Sequence, residues 1–160
     1  MGGGVPISAI TARAEIMDKV PAGTIGGTYC GNPLACASAL KVMEIMKRDD
    51  YAGKAQTIGK KVMNRYEALK EKYEEVGDVR GLGAMIGVEF VKTKSGKEPY
   101  PEFVKALIQN ALQKGLMIEN AGTYGNVVRF LAPLCITDEQ LEAGLNIFEE
   151  AIIETKASLK

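Results

Sequence analysis

Histidine is absent from this chain of 160 residues. That removes the usual general base and the usual zinc ligand, so acid–base chemistry falls to Lys, Glu, Asp, Tyr or a cofactor. Cysteine is scarce. Cys30, Cys36 and Cys135 are odd in number and lack metal-type spacing, which leads us to expect reduced thiols, no metal and a cytoplasmic setting. Net charge is missing too, with 20 basic residues against 20 acidic ones. No basic stripe stands out that would track a phosphate backbone, and nucleic acid is not an expected partner. There is no apolar run of about 18 residues and no basic-then-apolar opening, so no membrane contact is expected.

What is present suffices for one core, since 46% of the residues are hydrophobic; the expectation is one compact domain with a loosely attached N-terminal arm. The densest functional signal is Gly26-Gly27-Thr28-Tyr29-Cys30-Gly31-Asn32-Pro33-Leu34-Ala35. Its glycines let the backbone approach a ligand, Asn32 suits an N-cap and Pro33 a first helical position. Free amides at such a helix start favour an anion, phosphate above all, with the Thr28 hydroxyl as a further donor. A capped loop without a ligand fits the same residues.

Along the chain, Gly2-Gly3-Gly4-Val5-Pro6 is costly to order and reads as a cut edge or a flexible start. Residues 7–12 alternate apolar and small polar side chains as a short strand does, and 13–18 suit one helical turn. A helix from Pro33 to about Lys47 is apolar or small nearly all the way round and wants burial on several sides. A second, from about Ala52 to Tyr73, aligns Ile58, Val62, Tyr66, Leu69 and Tyr73 on one face and carries a solvated mixed charge run.

Val79 to Val91 reads as two extended runs with a bend or bulge at Gly81 or Gly83. Arg80-Gly81-Leu82-Gly83 lacks the following helix of a nucleotide fingerprint, so Arg80 reads as structural. Pro101 opens a helix with Phe103, Leu107 and Ala111 on one face and Gly115 at its C-terminal cap. Strands follow at Leu116–Glu119 and Asn126–Leu131. A Thr137/Gln140 capping box then starts a helix with Leu141, Leu145, Phe148 and Ile152 on one stripe. The fold class is α+β, a three- to four-stranded sheet covered by helices on one side. Arg129, set between apolar residues near a strand end, is suited to a carboxylate. That carboxylate is either a ligand's or an internal one from Glu89 or Glu119.

Three stretches in order, the glycine run at 2–6, the decapeptide at 26–35 and Val128-Arg129-Phe130-Leu131-Ala132-Pro133-Leu134, resemble the class III pyridoxal-phosphate aminotransferases, and most of all those acting on 4-aminobutyrate. The resemblance implies the C-terminal part of a fold-type I enzyme. Residues 1–31 would be an arm of the large cofactor-binding domain, 32–50 an interdomain helix, and 51–160 the small C-terminal domain. It implies that Gly27 and Thr28 reach the pyridoxal phosphate of a neighbouring subunit and that Arg129 binds the substrate carboxylate. In the family the glycine run follows the lysine that holds the cofactor as a Schiff base. No lysine of this chain matches that one, so no catalytic residue is assigned and weak or no cofactor binding by the chain alone is expected. The implied reaction passes an amino group from an ω-amino acid to a 2-oxo acid such as 2-oxoglutarate, in a homodimer or higher homo-oligomer. The alternative is a non-catalytic structural or oligomerisation module derived from that family.

Overall fold

A computed structural model describes residues 1–29 and 31–159. The expectation for the Cys30 thiol lies outside them. The chain divides into two compact units, Met1–Tyr51 and Ala52–Lys160.

The first unit holds α1 (Ala14–Met17) and α2 (Pro33–Arg48). Residues 7–12 form no strand, contrary to their alternating pattern. A strand needs a partner ladder, and every strand of the described sheet belongs to the second unit. The glycine run is closed into a turn: Val5 N donates to the Gly2 carbonyl at 3.0 Å, and Ser38 Oγ of α2 donates to the same oxygen at 2.6 Å. Gly3 and Gly4 take left-handed φ of +57° and +99° there, which only glycine adopts cheaply. The nearly all-round apolar α2 buries Ala35 and Ala39 but leaves Leu34, Leu40, Met43 and Met46 exposed.

The second unit carries α3 (Tyr51–Lys72), β1 (Val76–Leu82), β2 (Met85–Phe90), α4 (Pro101–Gln113), β3 (Glu119–Ala121), β4 (Val127–Phe130) and α5 (Asp138–Ser158). The four strands form one antiparallel sheet in the order β1-β2-β4-β3. Ile86, Val88 and Phe90 alternate toward the helices and meet the apolar stripes of α3, α4 and α5 in one core. Tyr66 and Phe148 pack at 5.1 Å between ring centres, Phe90 and Phe103 at 5.2 Å. The expected stripe on α5 is buried at Leu141, Leu145, Phe148 and Ile152, and Thr137 and Gln140 form the capping box.

The bend expected at Gly81 or Gly83 falls at Gly83, which makes the hairpin turn at φ +55°, while Gly81 stays in register opposite Ile86; a further ladder irregularity lies between Val76 and Asp78. One expectation shifts. The strand expected at Leu116–Glu119 begins only at Glu119. Leu116 is spent on ending α4: its N–H donates to the Ala111 carbonyl at 2.9 Å, and Gly115 N donates to Leu112 at 3.0 Å, a Schellman cap. Asn126, buried at the mouth of β4, donates through its side-chain Nδ2 to the Phe90 carbonyl at 2.9 Å, and its backbone carbonyl accepts from Phe90 N at 2.8 Å. A register slip between β2 and β4 would strand that amide.

Glu149 of α5 ties the helices together. Its carboxylate, only 18% exposed, accepts from Lys72 Nζ at 2.6 Å, Arg65 at 3.1 Å and the Tyr73 hydroxyl at 3.2 Å. The Lys72 hydrogen bond chiefly holds it below the ordinary carboxylate range, with burial opposing. A carboxyl depressed in the folded state stabilises above its unfolded pKa of about 4.3, and that contribution is lost as pH falls through the folded value. Melting temperature should therefore hold from neutrality to about pH 5 and fall below about pH 4. Glu149→Gln should melt lower at neutral pH and lose less on acidification; an unchanged acid slope would remove Glu149 from the account.

Candidate functional site

In the first unit, the loop before α2 presents Gly27 and Thr28 exposed, and Gly31 turns the chain at φ +69°. The helix start, however, is closed to an anion. Pro33 has no N–H, and the Asn32 side chain accepts from Leu34 N at 2.9 Å and Ala35 N at 3.4 Å. Cys36 N donates to the Asn32 carbonyl at 3.0 Å. The good cap read from the sequence uses up the very amides that the phosphate reading wanted free. What this loop offers a phosphate is the Thr28 hydroxyl and open glycine backbone; an added Cβ at Gly26 or Gly31 would meet nothing within 4 Å.

In the second unit, Arg129 sits on β4 directly opposite Gly87 of β2 and Glu119 of β3. Opposed residues share a face, so Arg129 lies on the face away from the helices, with Val128 turned to the core. Its side chain is 39% exposed and reaches Glu119 only loosely, at 3.7 Å, and the Glu119 side chain is itself 72% exposed. Its Nε is buried without a hydrogen-bond partner. The other internal carboxylate considered, Glu89, pairs with Arg80 at 2.6 Å instead. Arg129 therefore retains an unused donor.

A cavity of about 420 Å³ adjoins this end of β4. Its lining is mainly apolar, including Leu116, Ile118, Phe130, Leu131 and Leu145, and also takes in Glu119 and Arg129. Tyr66 contributes as well, its phenol pushed far up by burial and so kept neutral. Sequence reading missed the cavity, because it forms between segments distant along the chain. Thr28 belongs to the first unit and Arg129 to the second. Among the described residues no cluster of three metal-ligating side chains occurs, and no helix is long and apolar enough to cross a membrane.

Comparison with known proteins gives a consistent answer. The chain matches the family model described as Aminotransferase class-III over residues 1–152. It is 40% identical over 156 residues to the 4-aminobutyrate aminotransferase of Escherichia coli, covering 98% of this chain and 37% of that protein. A 5-aminovalerate aminotransferase of Pseudomonas aeruginosa is also 40% identical, covering 96% and 36%. A leucine/methionine racemase of Thermococcus litoralis is 42% identical, covering 98% and 35%. The chain thus spans somewhat over a third of the length of these relatives. Among solved structures, a transaminase from the marine bacterium Virgibacillus superposes with a TM-score of 0.77 at 25% identity, over 91% of this chain and 34% of that one. A Bacillus anthracis aminotransferase gives 0.74 at 28%, over 80% and 30%.

Proposed function

The chain belongs to the class III aminotransferase family, and from that premise we propose that it is the C-terminal part of a pyridoxal-phosphate enzyme that passes an amino group from an ω-amino acid, 4-aminobutyrate foremost, to a 2-oxo acid such as 2-oxoglutarate. The observation that carries the substrate side is the weakly held guanidinium of Arg129, 3.7 Å from an exposed Glu119 and with an Nε that has no partner. A guanidinium without a tight internal partner suits a carboxylate, which it binds in a planar, bidentate way. Pyridoxal phosphate, when bound, supplies the electron sink of the reaction. Gly27 and Thr28 would add one hydroxyl and close backbone approach to its phosphate site.

Residues 1–31 are then an arm of the large domain, 32–50 an interdomain helix and 51–160 the small domain. A homodimer and a cytoplasmic setting belong to the same reading. The exposed apolar side chains of α2 favour a second reading, a non-catalytic contact module.

One experiment on the complete protein separates the two. With pyridoxal phosphate present, 4-aminobutyrate and 5-aminovalerate should each convert 2-oxoglutarate to glutamate. The 160-residue chain, treated with the cofactor and borohydride, should show no lysine labelled stoichiometrically, because none of its lysines matches the family's Schiff-base lysine. Absence of transfer by the complete protein would favour the contact module, and a stoichiometric label on one lysine of this chain would overturn the assignment of the covalent cofactor site to residues outside it.

A further inference from the structure

The sheet's outer face carries a row of side chains set by register: Arg80 of β1 opposite Gly87 of β2, Gly87 opposite Arg129 of β4, and Arg129 opposite Glu119 of β3. Glu89 lies two residues beyond Gly87 on the same strand and so shares that face, diagonal to both arginines. Diagonal neighbours across antiparallel strands stand about 7–8 Å apart, within reach of long side chains. Gly87 places no side chain of its own between the two guanidinium groups, and Val127 of β4, directly opposite Glu89, sets its Cγ1 3.2 Å from where a Gly87 Cβ would stand. By register, either arginine is a diagonal neighbour of Glu89.

The structure makes the choice. Glu89 bonds Arg80 at 2.6 Å, and Arg80 also bonds Asp78 at 2.9 Å, which in turn meets Lys70 at 3.4 Å. Arg129 is left with the loose Glu119 contact and a buried Nε lacking any partner. An unsatisfied buried donor beside a reachable carboxylate would ordinarily capture it. Burial acts to raise the Asp78 carboxyl, but the hydrogen bonds from Arg80 and Lys70 outweigh it and hold the group low, so the Arg80 cluster stays charged.

We propose that Arg80 is a positioning residue: by holding Glu89 on the β1 side of Gly87 it keeps that carboxylate off Arg129 and leaves the Arg129 guanidinium open to a carboxylate ligand. The assignment rests on the ligand-binding reading of Arg129. A strand staple alone would explain the Arg80 pairs equally well, and the two roles separate by what happens at Arg129.

The test follows the Nε–Hε resonance of Arg129 by NMR in the 160-residue chain, with glutarate as the carboxylate probe. Without ligand, Arg80→Gln should move this resonance as Glu89 transfers to Arg129, and the double variant Arg80→Gln/Glu89→Gln should return it to the native position. Glutarate should bind about tenfold more weakly to Arg80→Gln than to the native chain and near native strength to the double variant. If Arg80→Gln leaves the ligand-free resonance unmoved, or if the double variant does not restore it, the positioning role is overturned and Arg80 is a staple. If the ligand-free shifts appear as expected but glutarate never perturbs native Arg129, the sequestration stands and the ligand-binding reading of Arg129 fails instead. Should Arg80→Gln fold poorly, Arg80→Lys supplies the second variant: a retained charge should hold Glu89 and keep the native resonance.

Discussion

Gly59→Ala is expected to destabilise the second unit, although alanine is the better helix former. Gly59 lies in α3 against the β1–β2 hairpin turn, and a Cβ added there would stand 2.0 Å from the Gly83 carbonyl oxygen and 2.3 Å from its carbon. The obstacle is backbone, which cannot swing aside as a side-chain tip would. Overpacking of this kind costs about 1–3 kcal/mol, against a helix-propensity gain of up to about 1 kcal/mol. The rigid neighbour puts the cost at the upper end, so the net effect is a loss. For a domain of this size that corresponds to a melting temperature lower by roughly 5–15 °C. Gly144 of α5 supplies the contrast, since its added Cβ would meet only Leu116 Cδ1, at 3.7 Å, an ordinary contact. Gly144→Ala should stabilise by about 0.5–1 kcal/mol. Denaturant titration of both variants checks the pair, and a Gly59→Ala chain as stable as the native one would refute the close seating of α3 on the turn.

Arg129→Ala should have a large effect on turnover and a small one on folding. If Arg129 holds the substrate carboxylate as proposed, the change removes a charge-assisted pair worth about 1.5–3 kcal/mol in the complete protein, and kcat/KM for carboxylate substrates should fall about ten- to a hundredfold. In the 160-residue chain the only described partner of Arg129 is a solvent-exposed carboxylate at 3.7 Å. Exposed pairs of that kind contribute about 0–1 kcal/mol, and releasing an unsatisfied Nε recovers some of the rest. Melting should therefore change little. A loss of about 3–5 kcal/mol in the isolated chain, the size seen when a buried pair is broken, would make Arg129 a structural residue.

Much of the second unit was legible because its signals are local. The stripe from Ile58 to Tyr73, the Gly115 cap and the Thr137/Gln140 box each depend on residues within a turn or two of one another, and each appears in the fold. The failures share a different cause. The alternation at 7–12 describes a face but not a partner, and a strand without a ladder does not form. Leu116 has the composition of a strand residue, yet its amide is claimed by the end of α4. At the candidate site, Arg129 was identifiable by type and setting, but its competitors were not ranked, because the pairing of Glu89 with Arg80 depends on strand register across the sheet. The Asn32 cap was read correctly, and its consequence was missed: a side chain that caps well leaves no amide for phosphate.

The order β1-β2-β4-β3 also bears on how the sheet comes together in time. Each outer pair is a hairpin, closed by a short glycine-bearing turn, and such hairpins form locally in about 1–10 μs. The central ladder joins strands separated by the whole of α4, so its closure entropy must be met before its contacts reward it. The topology favours early local closure of each hairpin and later closure of the central ladder. The buried Asn126 amide at that seam favours the native alignment, in which its Nδ2 finds the Phe90 carbonyl.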